Sequence, residues 1–161
     1  MRLLFDLDGT LTDPCVGITS CIRHALSTLE VEVPPADDLR WCIGPPLHES
    51  FLSLLKTDDT NLASEALAIY RERFGTVGLF ENEPYPGVVD CLRDLAQQGH
   101  SLSVATSKPT VFATRIVDYF ELREHFCAVD GSELDGTRCD KTSLISHVLK
   151  RDDLAAHEVL M

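Results

Sequence analysis

The chain has 161 residues, 44% of them hydrophobic and 25% charged, and a formal net charge of −12 at pH 7. That length suits one ordinary domain, or a core carrying a small insert, with enough apolar residues for a real interior. The acidity argues against a nucleic-acid polymer as partner, which calls for a basic face, but leaves room for a small phosphorylated ligand held by one lysine and a bound cation.

Arg2 to Phe5 is a short apolar run closed by Asp6-Leu7-Asp8-Gly9, the pattern of a strand buried on both faces of a parallel sheet. From Val16 to Phe74 the period turns helical. Ile18, Cys21, Ile22, Ala25, Leu26 and Leu29 form one stripe that Pro34-Pro35 breaks. Asp37 to Trp41 and His48 to Leu55 read as short helices, and Leu62 to Phe74 as a longer one. After Pro84-Tyr85-Pro86-Gly87, Val88, Leu92 and Leu95 mark a helix that Gly99 stops. Ser101 to Ala105 is expected as a strand, followed by Thr106-Ser107-Lys108-Pro109 and a helix toward Phe120. Phe126 to Val129 reads as the next strand, Leu144 to Leu149 as a helix, and Glu158 to Met161 as the start of a fourth strand.

Strands alternating with helices imply βαβ units and a doubly wound parallel sheet. The expected division is an α/β core at residues 1–13 and 84–161 with a helical insert at 14–83. No apolar run approaches the roughly 18 residues of a membrane span. Arg2 to Phe5 is too short for the apolar part of a signal peptide. The six cysteines lack metal-ligand spacing and read as reduced, structural thiols of a cytoplasmic protein. The histidines show no ligand spacing, and none is assigned to catalysis.

Three segments carry chemistry. Asp6 and Asp8 follow the first strand, where open α/β sheets bind ligands, and residues two apart along a strand return to one face roughly 6–7 Å on. One carboxylate can attack while the other moves a proton. Gly9 allows the sharp turn, and Thr10 offers a hydroxyl to a phosphate oxygen. Thr106 and Ser107 end the next strand, where a hydroxyl acts with helix-start N–H groups or merely caps the helix. Lys141 opens a later helix, and Arg138 stands just before it.

The Phe5-Asp6-Leu7-Asp8-Gly9-Thr10-Leu11-Thr12 segment, with Thr106 and Lys141 in order behind it, resembles the haloacid dehalogenase superfamily. Thr106-Ser107-Lys108-Pro109 and Asp135-Gly136-Thr137-Arg138 resemble its phosphoglycolate phosphatase and 5′-nucleotidase-like members. The resemblance implies Asp6 as a nucleophile forming an aspartyl-phosphate, Asp8 as general acid and base, and Lys141 as the neutralising lysine. Thr10, Thr106, Ser107 and Arg138 would bind the substrate, and Mg²⁺ would be held by the Asp6 carboxylate and the Asp8 main-chain carbonyl.

The insert corresponds to the helical cap of that family, with Ile43-Gly44-Pro45-Pro46-Leu47 similar to a cap segment in which Gly44 meets the substrate. Arg71 and Arg73 could reach an anionic leaving group. The family's fourth, acidic motif follows a strand that this chain only enters at His157 to Met161, and the first strand is therefore expected at an open sheet edge. The implied activity is a Mg²⁺-dependent phosphatase for small phosphomonoesters. A sugar phosphomutase, which shares both aspartates, and a non-catalytic fragment or phosphate-binding module are the alternatives; a dehalogenase is disfavoured, because that branch lacks the second aspartate. Oligomeric state is not readable.

Overall fold

A computed structural model describes all 161 residues. Its elements, in chain order, are β1 (Arg2–Phe5), β2 (Thr12–Asp13), α1 (Cys15–Thr28), α2 (Leu47–Leu55), α3 (Thr60–Arg73), β3 (Glu83–Pro84), α4 (Val88–Gln97), β4 (Ser101–Pro109), α5 (Thr110–Tyr119), β5 (Ala128–Ser132), α6 (Lys141–Arg151) and β6 (Val159–Leu160). They divide into two compact units, Met1–Asp13 with Glu83–Met161, and Pro14–Asn82. No helix is long and apolar enough to cross a membrane.

The first unit holds a four-stranded parallel sheet in the order β5-β4-β1-β6. Apolar residues meet across it, Leu3 beside Leu102 and Val104 beside both Phe5 and Val129. On one face α6 lays Leu144 and Val148 against Leu4 and Ala105. These side chains are almost wholly buried, each contributing about 1.5–3 kcal/mol of hydrophobic stabilisation for the larger ones. From β1 the chain steps through β4 to β5, then α6 returns it past β1 to β6. With right-handed crossovers this places α4 and α5 opposite α6, and it puts the switch point of the sheet beside the carboxyl end of β1.

The fourth strand corrects one expectation. β6 pairs with β1 through Arg2–Val159 and Leu3–Leu160, so β1 is flanked on both sides there rather than lying at an open edge. β4 runs on through Lys108 to Pro109, with a register irregularity after Ala105, and α5 begins only at Thr110. Thr106 is therefore no helix cap. The third core strand is Ala128–Ser132 rather than 126–129. Phe126 packs its ring edge-on to Phe5 at 6.1 Å instead. Gly131 is required inside β5, because a Cβ there would lie 2.3 Å from the Lys108 carbonyl oxygen. The antiparallel β2–β3 ribbon has two residues per strand, too few for any alternation to show in sequence.

The second unit is helical. The stripe of α1 buries Ile18, Cys21, Ile22, Ala25 and Leu26, while Phe51, Ala63, Ala66, Tyr70 and Phe74 are buried from α2, α3 and the turn after it. Asp59 caps α3 by accepting from the N–H groups of Asn61 and Leu62. The segment expected as a helix over Asp37–Trp41 is a 3₁₀ helix, Ala36–Cys42, and α3 passes into a π-helical turn at Phe74–Gly78. That turn touches α1 closely: a Cβ on Gly17 would stand 2.2 Å from the Gly78 carbonyl oxygen. Arg73 forms a two-pronged pair with Glu81 at 2.8 and 3.0 Å and reaches the Cys21 sulfur at 3.0 Å, so it is not the free cation expected for a leaving group. None of the six cysteines is in a disulfide; Cys21 and Cys42 are buried, and Cys91, Cys127 and Cys139 are exposed. The general expectation of buried structural thiols holds for two of them.

Candidate active site

The loop after β1 is tied by backbone hydrogen bonds. The Leu7 carbonyl accepts from the N–H groups of Thr10, Leu11 and Thr12, and the Gly9 N–H donates to the Thr12 carbonyl at 2.8 Å. Gly9 holds φ at +76°, a region costly for other residues. Leu7 is fully buried between the two half-buried aspartates.

Asp6 accepts from the Leu7 N–H at 2.8 Å through Oδ1 and pairs through Oδ2 with Lys141 Nζ at 2.7 Å. Lys141 is the first residue of α6, and its Nζ also donates to the Ala105 carbonyl of β4 at 3.1 Å. Asp140 caps that helix by accepting from the Ser143 N–H at 2.9 Å, and bonds from Ser143 hold its carboxyl below the usual range. The lysine is thereby set over the ends of two strands. Asp8 pairs through Oδ2 with Lys108 Nζ at 2.9 Å, while its Oδ1 is buried without a hydrogen-bond partner. Each carboxylate thus faces its own ammonium group, one from β4 and one from α6.

Thr106 is buried within the carboxyl half of β4, and its Oγ1 accepts from the Lys108 N–H at 3.3 Å. The Ser107 carbonyl accepts from Ser132 Oγ at 2.8 Å, binding the end of β4 to β5. Thr10 is exposed at the turn. The structure does not join Arg138 to this group: it sits at φ +61°, with its guanidinium on Glu133 and on the Gly131 carbonyl at 3.4 Å. Gly44 lies in the helical unit, with φ at +107°.

Lys108 is the residue that sequence reasoning passed over as a site residue. The available signal was its position, two residues beyond Thr106 at the carboxyl end of a core strand.

The resemblance implies the Asp6 carboxylate and the Asp8 main-chain carbonyl as the donors that could hold a metal ion. Hard oxygen donors of this kind fit Mg²⁺, which keeps several waters and needs only one or two carboxylates. No group of three or more His, Cys, Asp and Glu side chains gathers anywhere, which does not suit a closed zinc-type site. Chemically, the arrangement offers a carboxylate at a sheet switch point, neutralised by a lysine, with a second carboxyl two residues on.

The family described as haloacid dehalogenase-like hydrolase matches residues 3–161. The chain belongs to this family. It is 48% identical over 160 residues to a 5′-nucleotidase of Pseudomonas aeruginosa, covering 99% of this chain and 72% of that protein. It is 37% identical over 147 residues to the tyrosine-protein kinase PtkA of Mycobacterium tuberculosis, covering 91% of this chain but only 50% of that protein. A crystal structure of a predicted phosphatase from Clostridium acetobutylicum superposes with a TM-score of 0.93 at 38% identity, over 99% of this chain and 74% of that one. The doubly wound core is therefore that of the haloacid dehalogenase-like hydrolases.

Proposed function

We propose that the chain hydrolyses small phosphomonoesters, of the nucleoside monophosphate or phosphoglycolate class, through an aspartyl-phosphate on Asp6. The observation that carries this reading is the Asp6–Lys141 pair at 2.7 Å, built at the switch point of the sheet. The phosphatase and 5′-nucleotidase names among its relatives support it.

In the first step Asp6 attacks phosphorus, the ester P–O bond breaks, and Asp8 gives its proton to the departing oxygen. In the second, Asp8 takes a proton from a water that attacks the aspartyl-phosphate, releasing inorganic phosphate and restoring Asp6. Lys141 lowers the repulsion between the carboxylate and the phosphate, and the hydroxyls of Thr10, Thr106 and Ser107 are assigned to phosphate oxygens. When bound, Mg²⁺ adds further charge neutralisation at the transferring phosphoryl group, with Asp6 and the Asp8 carbonyl as its protein donors. Arg138 is assigned a substrate role only on release from Glu133. Substrate choice is assigned to the helical unit, where Gly44 lies. Six cysteines without a disulfide fit a reducing compartment, and we assign the protein to the cytoplasm.

The test is phosphate release with Mg²⁺ from phosphoglycolate, nucleoside monophosphates and sugar phosphates, with Asp6→Asn as the control. The variant should lose on the order of 10⁴-fold or more in kcat. Equal release by the variant would overturn the nucleophile, and no release by the folded chain would favour the phosphate-binding alternative.

A further inference from the structure

We propose that Lys108 is a positioning residue for proton transfer: by holding Asp8 Oδ2 it leaves Oδ1 as the oxygen that exchanges protons with the leaving group and with water. The inference rests on the phosphatase reading above and deepens it.

Three observations carry it. The Lys108 side chain is only 6% exposed and its Nζ lies 2.9 Å from Asp8 Oδ2, so the ammonium is withdrawn from solvent and turned to this carboxylate. Burying an ammonium and a carboxylate is costly unless each finds the other, which makes the pair a rigid one. Second, the backbone that carries Lys108 is immobilised on both sides. The Ser107 carbonyl is held by Ser132 Oγ at 2.8 Å, and the Lys108 carbonyl passes over Gly131 so closely that a Cβ there would stand 2.3 Å away. The Lys108 N–H is bonded to Thr106 Oγ1 at 3.3 Å, linking the lysine to a residue assigned to phosphate.

Third, Asp8 Oδ1 is buried and unpartnered. Buried carboxylate oxygens are ordinarily hydrogen-bonded, and because Asp8 lies in the loop at the carboxyl end of β1, its unpaired oxygen is the one turned over to a ligand there. In the first step the Oδ1 proton passes to the ester oxygen as the P–O bond breaks; in the second, Oδ1 receives a proton from the attacking water. Lys108 neither gains nor loses a proton in either step.

The experiment compares Lys108→Met and Lys108→Arg with the unaltered chain, as kcat/KM on an alkyl phosphomonoester and on p-nitrophenyl phosphate. Nitrophenolate departs without a proton, so its release does not depend on Asp8 as an acid. We expect Lys108→Met to lose about 100-fold on the alkyl ester, the low end of general-acid contributions, and less than about 10-fold on the nitrophenyl ester. Lys108→Arg, which keeps the charge, should recover part of the alkyl activity that Lys108→Met loses. Equal losses on both esters, or no loss on either, would overturn the positioning role while leaving the phosphatase reading intact. Absence of release from both esters by the unaltered chain would remove the phosphatase reading, and this inference with it.

Discussion

The two units use charge in different ways. In the α/β unit the ammonium groups of Lys108 and Lys141 meet Asp8 and Asp6, drawn from separate elements around the carboxyl end of β1. In the helical unit the best-made ion pair, Arg73 with Glu81, closes the π-helical turn and touches a cysteine sulfur rather than another charge. The first arrangement holds two carboxylates side by side at a ligand-binding end of a sheet. The second ties chain to chain. Equal-looking salt bridges therefore carry different meanings, set by whether the sheet topology or only local packing has brought the partners together.

Replacing one lysine should separate these roles most sharply. Lys141→Met is expected to lower kcat for phosphate release by about 10²–10³-fold, the scale of removing one preorganised charge from a transition state. Its melting temperature should stay close to that of the unaltered chain, because the Lys141 side chain is 36% exposed. A variant that unfolded instead would assign the lysine to structure. Arg73→Met should behave oppositely, losing about 1–2 kcal/mol of stability in denaturant titration, as fits a partly buried two-pronged pair, with kcat unchanged in the folded protein. A comparable loss of kcat would erase the contrast between the units.

The smallest effect belongs to Asp152, at the end of α6, whose carboxylate is held by Arg151 and Arg2. The hydrogen bond from Arg151 keeps its pKa below the ordinary value of 3.8. A depressed carboxyl stabilises the fold above the unfolded value and loses that stabilisation as pH falls through the folded one. Asp152→Asn should therefore cost about 0.5 kcal/mol near neutrality, and the difference should fade as pH drops below about 4. A gap that persisted or grew in acid would show that the charge is not what holds α6 there.

Much of this was legible along the chain. The short run before Asp6 could only be a buried strand, since Gly9 follows within a turn, and the α1 stripe announces its buried face through 3.6-residue spacing. The pairing of Asp6 with Lys141 was anticipated through the family resemblance, not through spacing. The true bounds of β5 were hidden, because the strand continues through Gly131, where the Lys108 carbonyl from another strand passes closely over it. The β2–β3 ribbon was hidden because its strands lie on either side of the helical insert in sequence.

The sequence by itself determined the order of the main helices and core strands, the doubly wound class and the candidate acids, because periodicity and turn chemistry are local properties that neighbouring residues impose. Only the tertiary structure decided which cation each acid meets, that β1 is flanked by β6, and that Arg138 is turned to Glu133. These depend on residues tens of positions apart, joined by crossovers and close backbone approaches. No local pattern encodes such meetings; they arise when the sheet is assembled.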